Sequence, residues 1–317
     1  MLSRVADALY WMGRYLERAE NLTRLLLVTE DLSTEIRGFN DKLAQEEWGA
    51  LLAIFPVDLL VAPASGSESA ALAHLSAFFA APTNPYSVLY SMRKARDNAR
   101  AVREALTLEV FVTLNDAYRA LDAASRRRIP DVPAFRDALS ATHRDLLGIV
   151  GAIDHTLSRD HGWCFLKLGE SVERLHRGAV ILGVKLRSLG APGPHKSLPL
   201  YYTQWRSVLR ALSSLENYRK TYGARMEPQS VIHFLVFDAG APRSLRFGAS
   251  TVKSHLDTIS GGDEQTPSGR LIGRIASRLR YDDRSIATVD DAIPLVDDVA
   301  GEVAKTHDAI EITYFGT

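Results

Sequence analysis

The chain has 317 residues, 46% of them hydrophobic and 24% charged, with 38 basic side chains balanced by 38 acidic ones and a single cysteine. That composition suffices for a sizeable buried core, and the zero net charge leaves no broad field for nucleic acid or an anionic membrane. The lone Cys164 excludes a disulfide framework and fits a reducing compartment, and no run of 18 apolar residues is present to cross a bilayer.

From the N-terminus, Arg4, Asp7, Arg14, Glu17, Arg18 and Glu20 interrupt the first twenty residues, which do not read as a signal peptide, so a soluble cytoplasmic protein is expected. Residues 3–27 carry Val5, Ala8, Leu9, Met12, Leu16, Ala19, Thr23 and Leu26 at helical period. Ser3, Asp7, Arg14, Arg18 and Asn21 lie on the opposite face, and Ser3 is a plausible N-cap. Further helices are expected over about 45–55, 68–80, 86–125, 133–157, 162–189, 199–222, 228–237, 243–259, 268–281 and 288–312. Breakers separate them at Pro56 to Ser67, Pro82 to Pro85, Pro130 to Pro133, Gly190 to Pro199, Gly223 to Pro228, Gly240 to Pro242 and Gly261 to Gly269. Ser87 and Ser244 each stand two residues after a proline, a pattern suited to a helix start. Val231 to Phe237 is a continuous apolar run that also suits a strand; it is assigned to helix here. The short basic run Arg126 to Arg128 reads as a solvated helix end.

The chain repeats itself. Gly13-Arg14-Tyr15-Leu16-Glu17-Arg18 is echoed by Gly169-Glu170-Ser171-Val172-Glu173-Arg174, a shift of 156 (173 − 17). Trp48 is echoed by Trp205 and Ser87 by Ser244, both at 157 (205 − 48; 244 − 87). The expectation is an all-α helical bundle built from two tandem pseudo-symmetric repeats, 1–157 and 158–317, sharing one core as a single domain. The halves diverge after the Pro-x-Ser helices, so the first copy is the better place for a binding site.

Charged residues inside this helical frame are the candidate site. Arg14, Glu17, Arg18 and Asn21 lie on the polar face of the first helix, where plain solvation is the simplest reading, and Glu20 belongs to the same candidate cluster. The second copy is apolar nearly all round, with Trp163, Leu166, Val180 and Ile181 opposite the main apolar face, so Glu170, Glu173, Arg174 and Arg177 are expected to be buried and paired. Glu170 with Arg174, Glu173 with Arg177 and Glu20 with Arg24 are spaced i, i+4 in the favourable order. On the helix expected over 86–125, Arg96, Arg100 and Arg103 form one stripe, with Arg100–Glu104 and Arg93–Asp97 as available pairs and Asn98, Glu109 and Asn115 as further polar groups. Such a stripe either ties helices together through Glu17 and Glu173 or grips a carboxylate or phosphate. No catalytic residue can be assigned. There is no metal motif, nucleotide-binding loop or nucleophile elbow, and neither a metal nor a cofactor is expected. Cys164 reads as a buried inert thiol. Trp11, Trp48, Trp163 and Trp205 read as core anchors. His161-Gly162-Trp163 reads as the first turn of the second Glu-Arg helix.

Met1-Leu2-Ser3-Arg4, Ala6-Asp7, Leu9-Tyr10-Trp11, Gly13-Arg14-Tyr15 and Glu17-Arg18-Ala19-Glu20-Asn21 together resemble the opening of the bacterial alpha-E domain family. Arg96-Asp97-Asn98-Ala99-Arg100, Val102-Arg103-Glu104, Gly162-Trp163, Leu168-Gly169, Glu173-Arg174 and Pro242-Arg243-Ser244 resemble its later signatures, so the likeness covers essentially the whole chain. The resemblance implies an all-α protein, encoded beside or fused to a circularly permuted ATP-grasp amide ligase and a transglutaminase-like protease, in a system that makes, attaches or trims peptides. It implies no chemistry of its own for this component. After Glu109 the family usually shows Trp-Glu where this chain has Phe111 and Val112, and Ala241 stands where an aromatic is common. The expected function is that of an accessory, non-catalytic partner binding the ligase or its peptide substrate. Two rivals stand beside it: an enzyme with a Glu/Arg-lined cleft acting on a peptide or small anionic amide, and a purely structural scaffold. Homo-oligomerisation is left open.

Overall fold

The computed structural model describes residues 2–37, 40–55, 68–81, 83–127, 129–190, 199–263, 265–281, 286 and 288–316. Their regular structure is helical, with no strand among them: α1 (Ser3–Ile36), α2 (Asp41–Ile54), α3 (Glu68–Ala80), α4 (Val88–Ala101), α5 (Leu108–Ser125), α6 (Val132–Thr156), α7 (His161–Gly190), α8 (Pro199–Ala211), α9 (Leu215–Tyr222), α10 (Pro228–Phe237), α11 (Leu245–Ser260), α12 (Pro267–Tyr281) and α13 (Val289–Ile310). The protein is all-α, as the periodicity requires. The breakers Pro56 to Ser67, the stretch 191–198 and Arg128 lie outside the described residues. No helix among the described residues is long and apolar enough to cross a membrane.

The chain divides into two compact units, Met1–Glu170 and Ser171–Thr317. In the first, α1 packs along α4 and against α2 and α6, while α5 packs on α4 and α6. Leu9, Met12, Leu22, Leu25 and Leu26 of α1 are fully buried, and so are Val88, Met92 and Ala95 of α4. In the second, α11, α12 and α13 pack in sequence and α10 touches α8, α11 and α13. Val231 to Phe237, the ambiguous apolar run, is helical, and all but His233 of it is buried. A helix enclosed on nearly every side carries that much apolar surface without alternation.

Helix starts follow the residues expected to cap them. Ser87 Oγ accepts from the Tyr90 amide at 3.1 Å, and Ser244 Oγ from the Phe247 amide at 3.0 Å. Thr288 and Asp291 form a reciprocal capping box at the start of α13. Ser3 is not a cap: it is the first residue of α1, and Leu2 before it makes no side-chain cap bond.

Two expected helices are each broken in two. The stretch 86–125 ends as α-helix at Ala101, passes through a 3-10 turn (Arg103–Ala105) and restarts at Leu108. Neither Pro nor Gly marks the break. Thr107 makes it: its hydroxyl caps α5 at the Val110 amide and shares a 2.7 Å hydrogen bond with the Thr156 hydroxyl at the end of α6. Burial of Val102 and Leu106 on either side anchors the turn. The stretch 199–222 likewise divides at Ser213, which takes a left-handed φ of 47° between α8 and α9. Helix α1 also runs more than two turns further than expected, to Ile36.

Of the four tryptophans, Trp48 and Trp205 are core anchors. Trp11 and Trp163 are half-exposed, and each lies under a guanidinium: Arg14 over Trp11 at 5.0 Å and Arg159 over Trp163 at 4.3 Å. Trp48 donates to Ser33 Oγ and stacks on His74 of α3, whose ring centroid is 5.4 Å away. His74 is only 5% exposed, and burial holds its imidazole below the ordinary value, so it is neutral at pH 7. As pH falls below about 6.5 the unfolded chain takes up a proton that the folded chain resists, so stability is lost on acidification. The drop in melting temperature between pH 7 and pH 5 is expected to be smaller in His74→Phe, which keeps the stack and removes the titration. An unchanged drop would show that His74 does not contribute.

Candidate functional site

Both Glu-Arg motifs carry a buried glutamate. Arg14, Glu17, Glu20, Asn21 and Arg24 are all buried in α1, with Glu17 4% exposed. This overturns the solvated-face reading of the first copy: α1 is covered by α2, α4 and α6, so its polar stripe is enclosed as well. Glu20 holds Arg24 in a two-pronged pair at 3.0 and 3.1 Å and also meets His143 of α6 at 3.0 Å. Arg14 lies over the Tyr10 and Trp11 rings, and Arg18, half-exposed, lies 5.1 Å over Tyr15. In α7, Glu170 pairs with Lys167. Glu173, with no exposed surface, accepts from Arg177 Nε at 3.1 Å, the i, i+4 pair expected from the spacing. Arg174 belongs to the same helix and neighbours it in sequence.

The glycines of the two motifs have a part that charge patterns do not reveal. A Cβ on Gly13 would fall on the Leu166 carbonyl and 3.0 Å from the Glu170 amide nitrogen. A Cβ on Gly169 would fall on the Tyr10 carbonyl. Each motif thus places its glycine against the other helix's backbone, where only the absence of a side chain permits the approach.

The arginine stripe divides in two. Arg96 and Arg100 stay on α4, but Arg103 lies on the 3-10 turn, donates to the Leu106 carbonyl at 3.2 Å and stacks 4.4 Å over Phe111. The expected ties do not form. None of the three meets a carboxylate among the described residues, so the helix-tying reading through Glu17 and Glu173 is set aside, and neither Arg100–Glu104 nor Arg93–Asp97 is made. The break at Val102 takes Glu104 out of helical register with Arg100. Glu104 and Glu109 are exposed, and Asn98 donates back to the Lys94 carbonyl of its own helix. Glu104 instead lines a smaller hollow of about 190 Å³ with Asp160 and Trp163.

Arg96 and Arg100 open onto a cleft of about 340 Å³ between α4 and α5, lined also by Phe111, Val112, Asn115, Asp116 and Arg119. Asn115, buried, organises it: Arg96 Nε donates to its Oδ1 at 2.7 Å, and its Nδ2 donates to the Phe111 carbonyl at 2.8 Å. The Arg96 guanidinium also stands 4.9 Å over the Tyr118 ring. Arg119, 3.7 Å from Asp116, was not singled out from sequence, although it follows Asn115 by four residues and so shares its face. Phe111 and Val112 form the apolar part of this cleft.

Cys164 is buried, and burial followed by the nearby Asp160 carboxylate pushes its thiol up, as an inert thiol requires. His307, Asp308 and Glu311 bring three donor atoms within 4.8 Å of one another at the end of α13, a grouping that motif spacing did not reveal. All three come from little more than one helical turn.

A family model described as "a predicted alpha-helical domain with a conserved ER motif" matches residues 1–315. The chain belongs to the Alpha-E family. Glu-Arg stands in this chain at Glu17-Arg18 and Glu173-Arg174, and both glutamates are buried. Among curated proteins, uncharacterized proteins of Mycobacterium bovis and of two Mycobacterium tuberculosis strains are 27% identical over 291 residues. The match covers 87% of this chain and 32% of each relative, so the chain spans about a third of their length. No solved structure matches.

Proposed function

We propose that this Alpha-E chain is a non-catalytic accessory module of an amide-ligase system and holds the anionic end of a peptide in the α4–α5 cleft. The observation that carries the reading is unspent positive charge. Arg96 and Arg100 meet no carboxylate among the described residues, while Asn115 fixes the Arg96 guanidinium from one side. Glu17 and Glu173, which an enzyme would need as acid or base, are buried within helix packing, and Glu173 is engaged by Arg177. A carboxylate so enclosed serves the fold.

The partners in this proposal are a circularly permuted ATP-grasp ligase and a transglutaminase-like protease, as the family resemblance implies. The Mycobacterium relatives support a module that works beside other domains, because the matched stretch occupies only 32% of them. The proposal also takes the two halves as tandem copies. Its support is the recurrence of helix bounds: α2 and α8 end 157 apart (211 − 54), α4 and α11 start 157 apart (245 − 88), and so do α6 and α13 (289 − 132). At the same shift, Lys253 and Asp257 stand where Arg96 and Arg100 stand, and they form a 2.8 Å ion pair. Charge spent in the second copy and unspent in the first points to the first as the binding copy.

Affinity purification from the native cell, with the co-purifying proteins identified, tests the partnership. Specific recovery of the ligase or the protease is expected, and recovery of the chain alone in gentle buffer would overturn it. The double variant Arg96→Gln/Arg100→Gln is expected to keep its stability within about 1 kcal/mol, because both side chains lie at a partly open surface. It is expected to lose at least tenfold in affinity for the anionic peptide, since each charge-assisted contact contributes about 1.5–3 kcal/mol. Unchanged affinity would remove the cleft from the proposal.

A further inference from the structure

We infer that the α4–α5 cleft recognises the C-terminal carboxylate of a peptide ending in an apolar residue. The inference rests on the binding reading above and names the group that the arginines hold.

Three guanidiniums face the cleft against one carboxylate, Asp116, and that carboxylate lies nearest Arg119. Arg96 and Arg100 are therefore the pair left for a ligand. Arg96 uses Nε on Asn115, and its terminal nitrogens make no hydrogen bond among the described residues. Two guanidinium forks held on one helix turn suit a planar carboxylate, which accepts bidentately. Phosphate is less well matched. Phosphate sites draw on backbone amides at a helix N-terminus, whereas Arg96 and Arg100 sit in the last turns of α4, where the negative partial charge of the helix end opposes a phosphate of about −1.5 to −2 more than a singly charged carboxylate.

The apolar part of the cleft is Phe111 and Val112. Phe111 is held from one side by the Arg103 guanidinium, and Val112 is 44% exposed. Leu108, four residues earlier on the same face of α5, is 61% exposed, so an apolar strip runs along the helix into the cleft. A C-terminal residue joins a carboxylate and an apolar side chain through a single Cα, which brings both kinds of contact within reach of one residue. The carboxylate of an Asp or Glu side chain carries no such neighbour. The volume of about 340 Å³ admits one or two residues.

Isothermal titration of the full chain with four defined probes tests this: acetyl-Ala-Phe, its C-terminal amide, acetyl-Ala-Gly and inorganic phosphate. Acetyl-Ala-Phe is expected to bind at least tenfold tighter than its amide and at least fivefold tighter than acetyl-Ala-Gly. Arg100→Gln is expected to remove the preference over the amide, and Val112→Ser the preference over acetyl-Ala-Gly. Lys253→Gln, in the second unit, is expected to change neither. Equal binding of acid and amide, equal binding of Phe and Gly acids, or no binding of any peptide would overturn the inference. Phosphate binding that depends on Arg100, with no peptide acid bound, would overturn it while leaving the cleft an anion site. Peptide-acid binding without recovery of a ligase from cells would leave this inference standing and remove the partnership instead.

Discussion

Gly169→Ala is expected to cost about 3 kcal/mol or more, at the upper end of the overpacking range, and to lower the melting temperature by roughly 6–12 °C. Helix propensity alone points the other way, since Gly→Ala inside a helix gains up to about 1 kcal/mol. The steric term wins because the obstacle is backbone. The new Cβ would fall on the Tyr10 carbonyl and lie 2.8 Å from its carbon, and no rotamer change relieves that. The helices would have to part where Tyr10, Met12, Leu166 and Leu168 are fully buried. Gly13→Ala meets the Leu166 carbonyl and is expected to behave alike. Gly148→Ala is the control: it is exposed on α6, with nothing within 4 Å of its Cβ position, and is expected to gain stability. Denaturant melts of the three variants check the prediction. A Gly169→Ala protein as stable as the parent would show that the helices do not cross at the two motifs.

Removing Glu173 is the second large effect. Glu173→Ala leaves the Arg177 guanidinium, itself mostly enclosed, without the carboxylate that accepts from its Nε, and a broken buried pair costs about 3–5 kcal/mol. The double variant Glu173→Leu/Arg177→Leu measures how much of that loss is the stranded guanidinium. The exposed pair Arg187–Asp297 makes the contrast. Its contacts are as short as 2.7 Å, yet Arg187→Ala is expected to cost no more than about 1 kcal/mol, since solvent screens it. Urea titrations of the single and double variants separate these cases. A Glu173→Ala chain with unchanged stability would sink the structural reading of the ER motif. Glu173→Gln that folds normally but abolishes the activity of the proposed ligase system would favour the enzyme reading in its place.

Much of the molecule was legible in the residues themselves. Helical period carried the class, and Pro-x-Ser marked the starts of α4 and α11 because a serine hydroxyl two residues after a proline is placed to take up a free amide. The i, i+4 spacing gave the Glu20–Arg24 and Glu173–Arg177 pairs. The break between α4 and α5 was not legible, because neither Pro nor Gly marks it and the Thr107–Thr156 bond that joins it to the end of α6 spans 49 residues. Once that break is in place, Arg103 leaves the stripe and Arg119 joins the cleft.

Local rules therefore determined what depends on near neighbours: the helical period, the serine caps, the intrahelical ion pairs and the family to which the chain belongs. Tertiary packing decided which faces are inside. The polar side of α1 resembles any solvated helix face until α2, α4 and α6 cover it. Gly13 and Gly169 look like ordinary helix glycines until two backbones meet across them. Arg100 had the Glu104 carboxylate within reach along the chain, but the turn at Val102 removed it from register and left the charge of Arg100, beside that of Arg96, to the cleft. Burial and pairing across long sequence separations are set by which helices touch, and that information is held by no single segment.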